Sequence, residues 1–237
     1  MSTTNNAFAA VRQDVFSALI DPDRYNEKAL ALFLLLRFRA GCDLKIHTNE
    51  MALCDLMGVS NQTKNRTDIM SNLQQMERDG FLSICDSNDA RFFWISLEYD
   101  IFIPAADFTI IYKKEFDALW PEKTRDKLLM LLYCIKKYKH KKTNISFVSI
   151  DTIEQESPLS RSTICRGIAK LQSILDIYRA RINFADGQFK EVNYYKSLCD
   201  GEITQEQVEA IAKKYYRNIT SITRKHNKMI TSLRSVN

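Results

Sequence analysis

The chain has 237 residues, 45% of them hydrophobic and 27% charged, with a formal net charge of +5. That balance describes a globular protein with room for one large domain or two small ones. The longest apolar stretch, residues 29–36, is far too short to span a bilayer, so no membrane partner is expected. Residues 1–6 lack the basic start of a secretion signal, and the expected location is cytoplasmic. The six glycines (Gly41, Gly58, Gly80, Gly167, Gly187, Gly201) are isolated, which argues against a phosphate-cradling loop. The cysteines Cys42, Cys54, Cys85, Cys134, Cys165 and Cys199 form no Cys-x-x-Cys pair, and His47, His140 and His226 show no zinc-ligand spacing. The expectation is a protein that is not an enzyme, with no metal site, no cofactor and buried free thiols.

In chain order, residues 7–20 have helical spacing, with Phe8, Val11, Val15, Phe16 and Leu19 as the apolar stripe and Asp21-Pro22-Asp23 as the stop. Residues 26–40 are apolar nearly all round, the mark of a core helix, and Gly41 ends them. Thr48 is placed to cap a short helix bearing Leu53, Leu56 and Met57, which Gly58 stops. Ser60 is placed to cap a longer helix reaching Asp79 and Gly80. Residues 81–85 and 91–97 then read as a hairpin around the polar turn 86–89. Residues 101–106 and 108–112 are apolar or β-prone, without a Gly/Ser linker, so the two halves of the chain should be docked.

The same order follows again. Residues 126–138 form a core helix and 144–148 a short strand, and Ser149 caps a helix over 150–156. Ser157-Pro158 breaks that helix, and Ser160 caps the next, which turns Ile164, Ile168, Leu171 and Leu175 inward. Residues 177–184 alternate, with Tyr178, Ala180, Ile182 and Phe184 on one face and Arg179, Arg181 and Asn183 on the other. Residues 185–188 make a turn and 189–194 return. Beyond residues 200–202, Thr204 and Gln207 form a capping box for a final helix. Its stripe is Val208, Ile211, Tyr215, Ile219, Ile222, Met229 and Leu233, beside a basic face. That helix either packs back on the second half or serves dimerisation or DNA tracking.

Helix, helix-turn-helix and hairpin, twice over, is the order of two tandem winged helices. The expected fold class is α+β, mostly α with small β-hairpins, plus a C-terminal helix. The boundaries are 1–25 for an N-terminal helix or arm, 26–100 and 101–195 for the two winged helices, and 196–237 for the basic C-terminal helix. Two basic runs stand out, Lys136-Lys137-Tyr138-Lys139-His140-Lys141-Lys142 and the stretch from Lys213 onward, which carries no acidic residue. Such clusters suit phosphate backbones.

Double-stranded DNA is therefore the expected partner. In the second copy, a rotation of about 100° per residue sets Ser162, Arg166 and Ser173 outward, flanked by Arg161 and Lys170. An arginine on such a helix can bond both acceptors of a guanine edge, which makes Arg166, then Arg161, the candidates for base reading. Ser162, Thr163 and the helix N-terminus suit phosphate oxygens. Arg179, Arg181 and Lys190 would put the wing on a neighbouring backbone or minor groove. In the first copy Asn61, Gln62, Thr63, Lys64 and Thr67 are the candidates, although Lys64 stands where the second copy is apolar, and the core phase returns only at Ile69, Leu73 and Met76. That copy could equally dimerise through Phe92, Phe93 and Trp94.

The motifs Val59-Ser60-x-x-Thr63 and Leu159-Ser160-x-x-Thr163, each followed by a hairpin, resemble those of the tandem winged-helix replication initiators of bacterial plasmids and phages over residues 26–195. The resemblance implies origin binding by Arg161, Ser162, Arg166 and the basic wing, a homodimer formed through one of the two winged helices, and replication proteins as partners. The chain also resembles the N-terminal module of DnaD-type primosomal proteins. The C-terminal helix departs from that group, because the only tryptophans are Trp94 and Trp120. A transcriptional repressor using the same helices, or a winged-helix protein-interaction module, are the alternative readings.

Overall fold

The computed structural model describes residues 7–40, 43–98 and 108–224. Their fold is mixed α+β, with small antiparallel sheets among the helices. The first half runs β1 (Phe8–Arg12), α1 (Gln13–Leu19), α2 (Ala29–Arg39), β2 (Lys45–Thr48), α3 (Glu50–Leu56), α4 (Thr63–Arg78), β3 (Leu82–Asp86) and β4 (Phe93–Leu97). The second runs β5 (Phe108–Tyr112), α5 (Lys113–Leu119), α6 (Arg125–Lys137), α7 (Ile150–Glu156), α8 (Arg161–Leu171), β6 (Leu175–Phe184) and β7 (Phe189–Ser197). Then come α9 (Gln205–Tyr215) and β8 (Ile219–Arg224).

Three expectations about which element a residue belongs to are corrected. Residues 8–12 are not helical: β1 pairs antiparallel with β5, placing Phe8 opposite Tyr112 and Arg12 opposite Phe108. The spacing of Phe8, Val11 and Val15 fits a helix as well as a strand running into one, and the choice is made by a partner about a hundred residues away. The final helix ends at Tyr215, and Asn218, at φ 57°, turns the chain into β8, which pairs with β6. Ile219 and Ile222, expected on the helix stripe, are thus strand residues. Lys225, Lys228, Met229, Leu233 and Arg234 of the same expectation lie outside the described residues, as do Gly41, Cys42 and residues 101–106. Thirdly, Leu175 is buried, but as the first residue of β6 rather than on α8.

Caps explain the helix starts. Asn49, not Thr48, caps α3, its Oδ1 accepting from the Ala52 amide at 2.8 Å, while Thr48 closes β2. Ser149 caps α7 through the Thr152 amide at 3.0 Å, and Thr204 with Gln207 forms the capping box of α9. Ser60 does not cap α4, which begins at Thr63. Its oxygens instead hold the Asn65 side chain, at 2.9 and 3.0 Å. This accounts for Lys64. Ile69, Asn72, Leu73 and Met76 are buried on α4 with the same spacing as Ile164, Gly167, Ile168 and Leu171 on α8. α4 extends further towards its N-terminus, and Lys64 lies on that added, exposed turn.

One hydrophobic core runs through both halves, from Ala9 to Tyr195, with α2 and α6 buried at its centre. The Phe16 and Tyr133 rings stack at 3.6 Å, and the Tyr133 hydroxyl donates to the Val11 carbonyl at 3.3 Å. Arg125, at the start of α6, donates to the Met57 carbonyl beside the α3–α4 turn while lying 4.3 Å over the Trp120 ring. The two halves are therefore held in register by packing and polar contacts. Gly167 permits the closest helix approach: a Cβ there would sit 2.5 Å from Leu131 Cδ2 on α6.

The sheets differ between the halves. In the first the order is β2-β4-β3. In the second, Ser146 bridges to Tyr195 of β7, and β6 is flanked on its other edge by β8. A second apolar cluster joins Tyr178, Ala180, Ile182, Val192 and Tyr194 to Ile203, Val208, Ile211 and Ala212, so the C-terminal segment covers the outer face of this sheet.

Candidate nucleic-acid interface

α8 buries Ile164, Gly167, Ile168 and Leu171 and exposes Arg161, Ser162, Cys165, Arg166, Ala169 and Lys170. Ser162, Cys165, Arg166 and Ala169 recur at steps of three and four and form the centre of the outward face. Cys165 and Ala169 were missed in the sequence reading although the same helical phase exposes them. Thr163, Arg166, Gly167 and Lys170 border α6 across a cleft of about 290 Å³, with Thr124 and Lys127 on its other wall.

The cations of this helix are not equivalent. Arg161 is ion-paired with Asp151 and lies 3.9 Å from Glu154, both on α7. The Glu154 carboxylate also accepts from the Arg161 amide at 2.9 Å, so it satisfies the first free N–H of α8. The hydrogen bond to Asp151 raises the pKa of the Arg161 guanidinium further above its ordinary value. Lys170 is paired with Glu122 at 2.6 Å and reaches the Thr124 hydroxyl at 3.3 Å. Arg166 forms no ion pair among the described residues, and its Nε donates to the Ser162 carbonyl at 3.2 Å. Its guanidinium nitrogens are thereby the ones on α8 with no carboxylate to displace.

The wing extends this surface. Ile177, Arg179 and Arg181 alternate onto one face of β6, opposite Tyr195, Asn193 and Glu191 of β7. Ile177 and Tyr195 pack against the core beneath α7 and α8, so the arginines lie on the side of the sheet that faces the helix-turn-helix. Arg179 Nε donates to Asn193 Oδ1 at 3.1 Å, and Asn193 Nδ2 donates to the Tyr195 hydroxyl at 3.1 Å. Burial pushes the Tyr195 phenol up to about 12, so the chain is anchored on a neutral, rigid ring. Arg181 stacks 3.8 Å over Phe189. Ser149, Asp151 and Arg161 meet Lys190, Asn193 and Tyr195 around a crease of about 290 Å³ between helix and wing. Of the helix and wing residues named from sequence, Arg161 and Lys190 thus meet at one crease, while Thr163, Arg166 and Lys170 line the cleft beside α6. Asn193 was not among them, because its role depends on the strand register.

In the first half, Asn61, Gln62, Thr63, Lys64 and Thr67 are all exposed on the start of α4. Thr63 accepts from Arg66 at 3.4 Å, and Gln62 is the N-cap residue. The outer face of the first sheet carries His47 and Trp94, with ring centroids 4.6 Å apart, and Phe92 lies 5.0 Å from His47. Trp94 is 39% exposed, while Phe92 and Phe93 are half-buried.

The basic run at 136–142 is corrected in part. Lys136 is buried and grips Glu115 at 2.6 and 2.7 Å, with the Tyr112 ring 4.4 Å away. Glu115 also accepts from the Ser197 hydroxyl at 2.5 Å and the Tyr112 amide at 2.9 Å. Burial pulls the pKa of Lys136 down, and the Glu115 carboxylate opposes it. Lys137 pairs with Glu156 at 2.9 Å. Thiols divide as well: Cys54 and Cys134 are buried, but Cys85, Cys165 and Cys199 are exposed. No helix among the described residues is long and apolar enough to cross a membrane. Comparison with known proteins finds no family model that matches the sequence and no curated protein similar to it.

Proposed function

We propose that this chain is a sequence-specific double-stranded DNA-binding protein built from two tandem winged helices, and that it acts as a replication initiator of a plasmid or phage. The observation that carries the reading is the pair of cations ready on α8 and the wing: Arg166, free of carboxylates among the described residues, and Arg179, held by Asn193. α8 would enter a major groove with Ser162, Cys165, Arg166 and Ala169 towards base edges, and Arg179 and Arg181 would meet the adjacent backbone. Arg161 and Lys170 would have to exchange Asp151 and Glu122 for phosphates, which makes them position-setting contacts of small net value. The shared core and the Arg125–Met57 contact would hold α4 and α8 at a fixed separation, the arrangement an extended site requires.

Footprinting on the DNA of the element that encodes the chain tests this reading. Protection of direct repeats supports an initiator, protection of a promoter palindrome supports a repressor, and uniform, sequence-indifferent binding refutes both.

A further inference from the structure

The cleft beside the C-terminal end of α6 is a second anionic-ligand site, which we propose takes a phosphorylated nucleoside. It encloses about 370 Å³ between the β1–β5 ribbon and the 139–144 loop. Gln13, Phe108, Thr109, Lys139, Lys141 and Asn144 stand on its wall, and among the described residues no carboxylate lines it. That sets it apart from the α8 surface, where acids answer Arg161 and Lys170. Lys137, also on the wall, is already paired with Glu156.

Two features point to the ligand. Lys139 and Lys141 form no ion pair among the described residues, so two ammonium groups are available to phosphate oxygens without displacing an acid. Thr109, 2% exposed, backs the same wall beside them. Phe108 offers an exposed ring for a base to stack on, and the side chains of Gln13 and Asn144 form no internal hydrogen bonds among the described residues and can meet base or sugar edges. The volume lies in the range of small-molecule sites, about 300–1,000 Å³.

The cleft is also remote from the wing tip. Ser146 pairs with Tyr195, six residues along β7 from Phe189, a span of roughly 20 Å at about 3.3 Å per residue. His140 donates to the Ile145 carbonyl at 2.8 Å, which folds the lysine loop back at that far end. The site therefore does not depend on the duplex-binding reading of α8.

Isothermal titration calorimetry of the full chain at physiological salt, with ATP, thymidine monophosphate, tripolyphosphate and a short oligothymidylate, tests it. The nucleotides should bind, and Lys139→Glu with Lys141→Glu should weaken them by at least about tenfold. Lys139→Gln with Lys141→Gln provides a milder pair, and thermal melting checks that both remain folded. Phe108→Ala should weaken the nucleotides and leave tripolyphosphate unchanged. An oligothymidylate no tighter than the monophosphate identifies a free nucleotide as the source, and a much tighter one identifies a nucleic-acid strand. Absence of nucleotide binding, binding indifferent to both lysine pairs, or a Phe108→Ala variant that loses nothing would overturn the assignment.

Discussion

Glu115→Ala should be the most damaging polar substitution in the second half of the chain. Glu115 and Lys136 are 1% and 5% exposed, and the carboxylate is bonded by the Lys136 ammonium, the Ser197 hydroxyl and the Tyr112 amide. Truncation strands an ammonium in a dry site and also leaves a hydroxyl and an amide unanswered, a cost of about 3–5 kcal/mol. Against the 5–15 kcal/mol typical of folded domains, that is a large fraction of total stability. At roughly 2–4 °C per kcal/mol for a chain of this size, the melting temperature should fall on the order of 10 °C. The double replacement Glu115→Leu with Lys136→Met removes both charges at similar volume and should recover the part of the loss owed to the stranded ammonium, though the Ser197 hydroxyl and Tyr112 amide stay unanswered. Urea titration with the midpoint and slope followed together is the assay. A Glu115→Ala loss under about 1 kcal/mol, or a double variant no better than the single, would show that the buried pair is not formed as described.

Other consequences follow from the packing and polar contacts. Gly167→Ala should destabilise the chain even though helix propensity favours alanine by about 1 kcal/mol, because the new Cβ meets Leu131 inside a filled core at a cost of about 1–3 kcal/mol; a rise in the thermal midpoint would contradict the α6–α8 contact. Asn193→Ala should weaken duplex binding only while Arg179 is present, and Arg179→Ala should lower the salt slope by about 0.9 for one lost phosphate; an unchanged slope, or full additivity of the two, would remove the positioning role. Burial raises the Glu156 carboxyl but the bonds from Tyr138 and Lys137 outweigh it, leaving its pKa lowered. Its folded pKa lies below the unfolded one, so its contribution is present above the ordinary carboxylate range and is lost as pH falls through the folded value. Glu156→Gln should flatten the acid limb of a stability–pH profile, and an identical limb would refute that pairing.

What could be read from the sequence was local. Ile164, Ile168 and Leu171 on α8, the Ser149 cap and the Thr204–Gln207 box depend on neighbours within a turn or two, and all are found in place. β1 and β8 depend on partners far along the chain, Phe108–Tyr112 and β6, and their apolar spacing suits a helix equally well. The Lys136 contact with Glu115 turns a residue from an exposed-looking basic run into a core residue, which no count of charges would reveal. Candidate interface residues on a single element, such as Ser162 and Arg166, were legible from phase alone. Asn193 and Tyr195 required the β6–β7 register, and the pairing of Arg161 with Asp151 required the angle between α7 and α8.

The central claim is that α8 reads bases through Arg166. Selection from a random duplex pool, run in parallel with wild type and Arg166→Ala, tests it most directly. The account predicts that wild type enriches a defined motif and that the variant relaxes it at one base pair, with discrimination there reduced by about 1–3 kcal/mol. Enrichment of the same motif by both proteins would contradict the role of Arg166, and no enrichment by either would contradict sequence-specific binding itself.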